Sequence, residues 1–170
     1  HPHYISTAYF DFSGVNANTE CERRYAAFRS ETKNRPLPDL TREALLEVVR
    51  GTPKLPQEVA EPTYAVGVAK QMAADSNILA FSDGWDARKL VDHAIDRFGR
   101  GNVLVRKHPG EPKDDRDDAN LVKDTSATAI EFIAKCNRVM TINSSVGFEA
   151  MLYGKRTTML GQNPFRFIAD

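Results

Sequence analysis

Residues 140–150 read Met140-Thr141-Ile142-Asn143-Ser144-Ser145-Val146-Gly147-Phe148-Glu149-Ala150. The stretch is a strand, a polar corner and a helix start. Residues 139–142 are mostly apolar or β-branched, as in a strand covered on both faces. Asn143, Ser144 and Ser145 are small and polar, and any of them suits the cap of the following helix. Gly147 permits a close backbone approach in its first turn. Phe148, Met151 and Leu152 recur at helical spacing, and Gly154 closes the helix.

Such a corner has chemical potential for a physical reason. The first amides of a helix lack internal partners, and the macrodipole makes that end positive. Two hydroxyls beside free amides suit a phosphate oxygen. The plainer reading is an ordinary capped helix after a strand, so the rest of the chain has to decide.

Outward from the corner, the same alternation recurs. Residues 64–69 (YAVGVA), 102–107 (NVLVRK) and 157–160 (TTML) are further strand candidates. Residues 85–98 form the clearest helix, with Asp86 in the first turn, Leu90, Val91, Ala94, Ile95 and Phe98 as its buried stripe, and Gly99 as its stop. Ser126 or Thr128 caps another helix running to Lys135. Residues 78–81 fit a strand or an irregular turn, and the irregular reading is preferred. The expected fold is α/β, a Rossmann-like parallel sheet with helices on both faces. It spans residues 63–170. A mostly helical leading or interdomain segment, residues 1–62, precedes it. That segment holds a strand at 4–12, a helix at 19–33 capped by Thr19, a helix from Thr41 to Gly51, and a proline-rich linker at 52–62.

Composition sets outer bounds. The chain has 170 residues, 41% hydrophobic and 27% charged, which suits one globular domain. Lys plus Arg and Asp plus Glu are 23 each, which argues against a nucleic-acid binder relying on bulk positive charge. Cys21 and Cys136 lack metal-ligand spacing. Cys136 reads as a reduced core residue, so a reducing compartment is expected. Neither a signal peptide nor an apolar run of membrane-spanning length is visible. The chain starts at His1 and ends soon after a strand, and is expected to be a piece of a larger protein.

In a parallel α/β sheet, ligands bind beyond the carboxyl ends of the strands. Those ends carry Gln71 and Asp75, then Lys107, His108 and Pro109, then Asn143, Ser144 and Ser145, then Gly161, Gln162 and Asn163. The proline after His108 biases it towards an extended backbone, which orients an imidazole able to donate to a phosphate oxygen or protonate it as it leaves. The alternative is a surface histidine at a turn. Arg106 and Lys107 alternate in direction, so one of them faces the site. Glu149 lies one turn beyond Ser145 and can accept from ribose hydroxyls, or simply sit in a helix. Asp75 can hold a ligand or cap a turn. Asp114, Asp115, Asp117 and Asp118 read as a solvated loop rather than a metal cluster. No dinucleotide fingerprint, phosphate-loop lysine or nucleophile elbow is present.

Taken together, three runs resemble one family. They are Val103-Leu104-Val105-Arg106-Lys107-His108-Pro109, Ile133-Ala134-Lys135-Cys136, and residues 141–155 (TINSSVGFEAMLYGK). With the Gln71-x-x-x-Asp75 loop and residues 11–16 (DFSGVN), they resemble the bacterial capsule polysaccharide biosynthesis family, which includes the Kdo transferases. The likeness covers most of residues 64–161. It implies one half of a GT-B glycosyltransferase, with the donor bound in a cleft between two Rossmann-like domains. It implies a CMP-activated sugar, CMP-Kdo, and no metal cofactor. Carried onto this sequence, His108 contacts the donor phosphate as the catalytic group, and Ser144 and Ser145 bind phosphate and nucleotide. Lys107, Pro109, Asn143, Gly147, Gln71 and Asp75 complete the expected donor site, with Glu149 as a ribose ligand by position. The catalytic carboxylate and the contacts to a glycan or glycolipid acceptor belong to a first domain that is absent here or reduced to the residues before Thr52. A cytoplasmic protein, peripheral at the inner face of the bacterial inner membrane, is expected. The alternatives are a non-catalytic Rossmann-like module in polysaccharide assembly, or a transferase using another nucleotide sugar.

Overall fold

The computed structural model describes residues 11–14, 18–32, 61–111 and 120–170. Its centre is a five-stranded parallel sheet in the order β3-β2-β1-β4-β5. The strands are β1 (Tyr64–Ala69), β2 (Val103–Arg106), β3 (Val122–Lys123), β4 (Cys136–Thr141) and β5 (Arg156–Met159). The helices are α1 (Cys21–Glu31), α2 (Ser76–Phe81), α3 (Ala87–Phe98), α4 (Ala129–Ala134) and α5 (Ser145–Leu152).

Strand alternation sends side chains to two cores. Val66, Val68, Val103, Val105, Met140 and Ile142 pack under Leu90, Val91 and Ala94 of α3. Ala69, Leu104 and Val139 pack on the other face, against Phe132 and Ile133 of α4 and Ala150 of α5. A sheet buried on both faces needs apolar residues at every position, which is why β1 and β2 read as continuous apolar runs. Gly67 is required in β1: a Cβ there would lie 2.6 Å from both Cys136 Sγ and the Phe132 ring. Among the described residues, no helix is long and apolar enough to cross a membrane.

Several local expectations are corrected. Residues 78–81 are not irregular but helical, within α2, because the Asp75 carboxylate accepts from Asn77 N at 2.8 Å and nucleates the turn. Asp86 is the N-cap of α3 rather than part of its first turn, accepting from Lys89 N. Thr128, not Ser126, caps α4. Helix α1 starts after Glu20, not at Thr19, and has no side-chain cap. Cys136 opens β4, which is longer than its apolar part suggested. The sheet also has a strand that the sequence reading lacked, β3, two residues long and held on the edge by Leu104↔Val122 pairing. The expected strand at 4–12 apart from its last two residues, the helix at 41–51, the linker up to residue 60 and the aspartates at 114–118 lie outside the described residues. None of the residues of α1 is buried, and Tyr25 rests on Phe167 with ring centroids 5.1 Å apart.

Candidate functional site at the carboxyl edge of the sheet

The strand register sets the site. Ala69 pairs with Arg106 on one side and Thr141 on the other, and Thr141 pairs with Met159. Two residues further along each strand stand His108, Gln71, Asn143 and Gly161, in one row beyond the sheet. Strand order reverses between β1 and β4. The chain runs from β1 through α2 to α3 on one face and from β4 to α5 on the other, the arrangement that in parallel α/β sheets leaves a crevice at the switch point. β2 and β4 flank β1, so the His108 and Asn143 backbones stand roughly two strand spacings, about 10 Å, apart.

The two serines have different roles. Ser144 Oγ accepts from Val146 N at 3.3 Å and is the N-cap of α5, while Ser144 N donates to Thr141 Oγ1 at 3.4 Å. Ser145, the first helical residue, is exposed. It stands at the positive end of the helix, where the amides of Val146 and Gly147 are already taken by Ser144 Oγ and Ser144 O.

His108 sits in a closed turn. Glu111 N donates to His108 O at 2.9 Å, and Gly110 N donates to His108 Nδ1 at 3.1 Å. With Nδ1 used as an acceptor, the neutral ring carries its proton on Nε2 and presents a donor. A Cβ at Gly110 would lie 2.9 Å from Met72 Sδ, so the turn rests on the loop after β1. Pro109 is exposed at its corner and Lys107 is half-buried. Arg106 turns to the other face, where its guanidinium pairs with Asp124 and lies 5.8 Å from the Phe132 ring centroid.

Three residues expected to touch the donor have their side chains bonded within the fold, and a fourth, Gly147, has none to offer. Gln71, only 8% exposed, donates from Nε2 to Asn143 Oδ1 at 2.8 Å, and its Oε1 accepts from Asn143 N at 3.1 Å. Asn143 Nδ2 donates to Asn77 O and Phe81 O. Asp75 caps α2. Gly147 is buried, and a Cβ there would meet Met159 Cε at 2.6 Å and Thr141 Cγ2 at 3.0 Å, so it serves helix-to-sheet contact. These residues build the crevice. Glu149 also faces inward, 6% exposed, and burial pushes its carboxyl up to about 7. Ser145 and Glu149 share a helix side, but one is at the surface and the other in the packed interior.

Two features of this edge escaped the sequence reading. Asp124, its side chain fully buried, holds Arg106, Ser126 and Lys135 together after β3. Burial raises its carboxyl, but hydrogen bonds from Ser126 and Arg106 outweigh that and keep it below the usual range. The second is an ion pair between Lys70 and Glu111, 3.0 Å long, joining the ends of β1 and the His108 turn. Lys70 follows an apolar strand and Glu111 opens a charged run, and nothing in their spacing signals the pair. Further along the row, Gln162, Asn163, Arg166, Phe167 and Glu22 line a hollow of about 490 Å³. Asp83, in the left-handed region at φ 53°, anchors Gln162 and Arg166 there.

Five parallel strands in this order, with polar groups massed at the switch point, define a Rossmann-like α/β domain. Residues 105–168, which include the His108 turn and the serine corner, match the family model described as capsule polysaccharide biosynthesis protein. Two solved structures share the fold. Thermosulfurimonas dismutans KpsC, beta Kdo 2,7 transferase, superposes with a TM-score of 0.54 at 19% identity, covering 72% of this chain and 40% of that one. The beta Kdo 2,4 transferase of KpsC from the same organism gives 0.51 at 19% identity, covering 78% and 48%. This chain therefore spans less than half the length of either structure. No curated protein matches it.

Proposed function

We propose that this chain is the donor-binding half of a glycosyltransferase of surface polysaccharide assembly, and that its donor is Kdo carried on CMP. The observation that supports the reading is the row at the carboxyl edge: the His108 turn follows β2 and the exposed Ser145 start of α5 follows β4, the two strands that pair with β1. The family match across both motifs supports the polysaccharide context, and the names of the two structural neighbours suggest the sugar.

The chemistry follows from charge. In a CMP-sugar the anomeric carbon is bonded to a phosphate oxygen of CMP. Transfer breaks that bond, forms one to an acceptor hydroxyl oxygen, and passes the hydroxyl proton to a base. The departing phosphate gains negative charge as the bond breaks. Ser145 and the positive end of α5 meet that charge from one side and the imidazole N–H from the other, which is electrostatic catalysis of the oxyanion kind. Protein donors can neutralise it without a bound metal. The base and the contacts to the glycan or glycolipid acceptor fall to parts of the parent enzyme outside this chain, which works at the cytoplasmic face of the membrane.

Calorimetric titration of the chain with CMP, UDP and GDP tests this. Binding of CMP alone is expected. A preference for UDP or GDP points to another nucleotide sugar, and binding of none of them leaves a non-catalytic module or a truncated, incompetent donor site.

A further inference from the structure

Beside the donor site stands an ion pair that stability alone does not explain. The side chains of Lys70 and Glu111 are 10% and 23% exposed, with Nζ and Oε1 3.0 Å apart. The second carboxylate oxygen, Oε2, is buried with no hydrogen-bond partner among the described residues. Buried pairs are weak stabilisers unless their remaining lone pairs are satisfied, and an unsatisfied buried oxygen calls for a reason. The reason is where the pair lies. Lys70 follows the last residue of β1, and its backbone N–H donates to Arg106 O at 3.0 Å. Glu111 closes the turn that holds the imidazole, through Glu111 N to His108 O. Within that turn Gly110 N fixes His108 Nδ1. The pair thus ties the far end of the turn to the strand at the switch point.

We propose that Glu111 is a positioning residue for His108: through Lys70 it holds the 108–111 turn closed, and so keeps the Nε2 donor aimed at the crevice. The inference deepens the donor-site reading and rests on it for its consequence in binding, but the ring geometry can be read without any ligand.

Nitrogen-15 NMR of the His108 ring is the first test. The neutral wild-type chain is expected to show the Nε2–H form, with Nδ1 shifted as an acceptor. Glu111→Ala is expected to release the ring to a mixture of both tautomers, and Glu111→Gln, which keeps an oxygen for Lys70, to retain the wild-type form. Lys70→Met cuts the same tether from its other end and must reproduce the release. An unchanged ring spectrum in folded Glu111→Ala, or in Lys70→Met where the alanine variant does not fold, overturns the proposal. The second test is a double-mutant cycle on CMP affinity. Glu111→Ala is expected to weaken CMP about tenfold in the wild-type background and less than twofold beside His108→Ala. Equal losses in both backgrounds mean that Glu111 does not act through His108. Absence of CMP binding to the wild-type chain would sink the donor-site reading instead, and the ring spectrum would still decide the role of Glu111.

Discussion

Gln71 and Asn143 lie 72 positions apart in sequence and hold each other across the switch point, Nε2 to Oδ1 at 2.8 Å and Asn143 N to Oε1 at 3.1 Å. Asn143 in turn holds the carbonyls of Asn77 and Phe81. One amide pair thus joins β1, β4 and α2 at the floor of the crevice. Gln71→Ala leaves Asn143 Oδ1 and Asn143 N without the partner that Gln71 gives each, in a part-buried setting. An unsatisfied buried group costs about 1–3 kcal/mol, so the variant is expected to lose about 3 kcal/mol for the two. Urea unfolding measures it. A loss below about 1 kcal/mol would mean that water replaces Gln71 freely and that this floor is not rigid.

Glu149 gives a pH signature. Its carboxyl is raised from 4.5 to about 7 by burial. Below pH 4.5 it is neutral in both folded and unfolded chains and contributes nothing. Between about 4.5 and 7 the unfolded chain releases this proton while the folded chain keeps it, so stability falls as pH rises. Above 7 the loss is constant. At 1.36 kcal/mol per unit, the total is on the order of 3 kcal/mol. Glu149→Gln keeps the shape without the ionisation, so its stability relative to wild type should climb across this window and then level off. Thermal unfolding of both proteins from pH 4 to 8 reads the difference. Parallel curves would show that Glu149 ionises without cost where it sits.

These two residues also show what the sequence could and could not carry. The strands were legible because a sheet covered on both faces demands apolar runs, and 64–69 and 103–105 have few polar residues. Their carboxyl ends were legible because parallel topology puts every such end on one edge. The roles of the polar residues there were not. Gln71 and Asp75 share a loop and look equally able to hold a ligand, but one reaches Asn143 and the other the amide of Asn77. Partners far apart in the chain leave no local spacing to read. β3 was invisible for a different reason: two residues next to a charged run make no pattern, and the strand exists because β2 offers it an edge and Arg106 reaches Asp124.

The cysteines are expected to separate cleanly by reactivity. Neither is in a disulfide. Cys136 is fully buried, and burial pushes its thiol up to about 12 from 9.0, which lowers its thiolate fraction about a thousandfold near neutral pH. Cys21 is partly exposed on α1. A thiol reagent added to the native chain should therefore modify one cysteine promptly, and the second only on unfolding, with peptide mapping to identify each. Prompt modification of Cys136 would mean that the start of β4 opens readily.

The last prediction separates the serines that begin α5. Ser144 supplies a cap: its Oγ accepts from Val146 N, and removing such a cap costs about 1 kcal/mol. Ser145 is exposed, one residue inside the helix, where its hydroxyl contributes nothing described to the fold. If the amides and hydroxyl at this end receive the donor phosphate, the two alanine variants should differ in kind. Ser144→Ala should lower the unfolding free energy by about 1 kcal/mol and weaken CMP indirectly, by fraying the first turn. Ser145→Ala should leave stability within about 0.5 kcal/mol of wild type, as surface substitutions do, yet weaken CMP about ten- to a hundredfold, because one hydrogen bond to a charged group is worth about 1.5–3 kcal/mol. Denaturant unfolding and CMP titration on the same samples give both numbers. Should Ser145→Ala bind CMP as tightly as wild type while Ser144→Ala does not, the phosphate contact would have to come from the capping residue and the amides alone, and the exposed hydroxyl would drop out of the site.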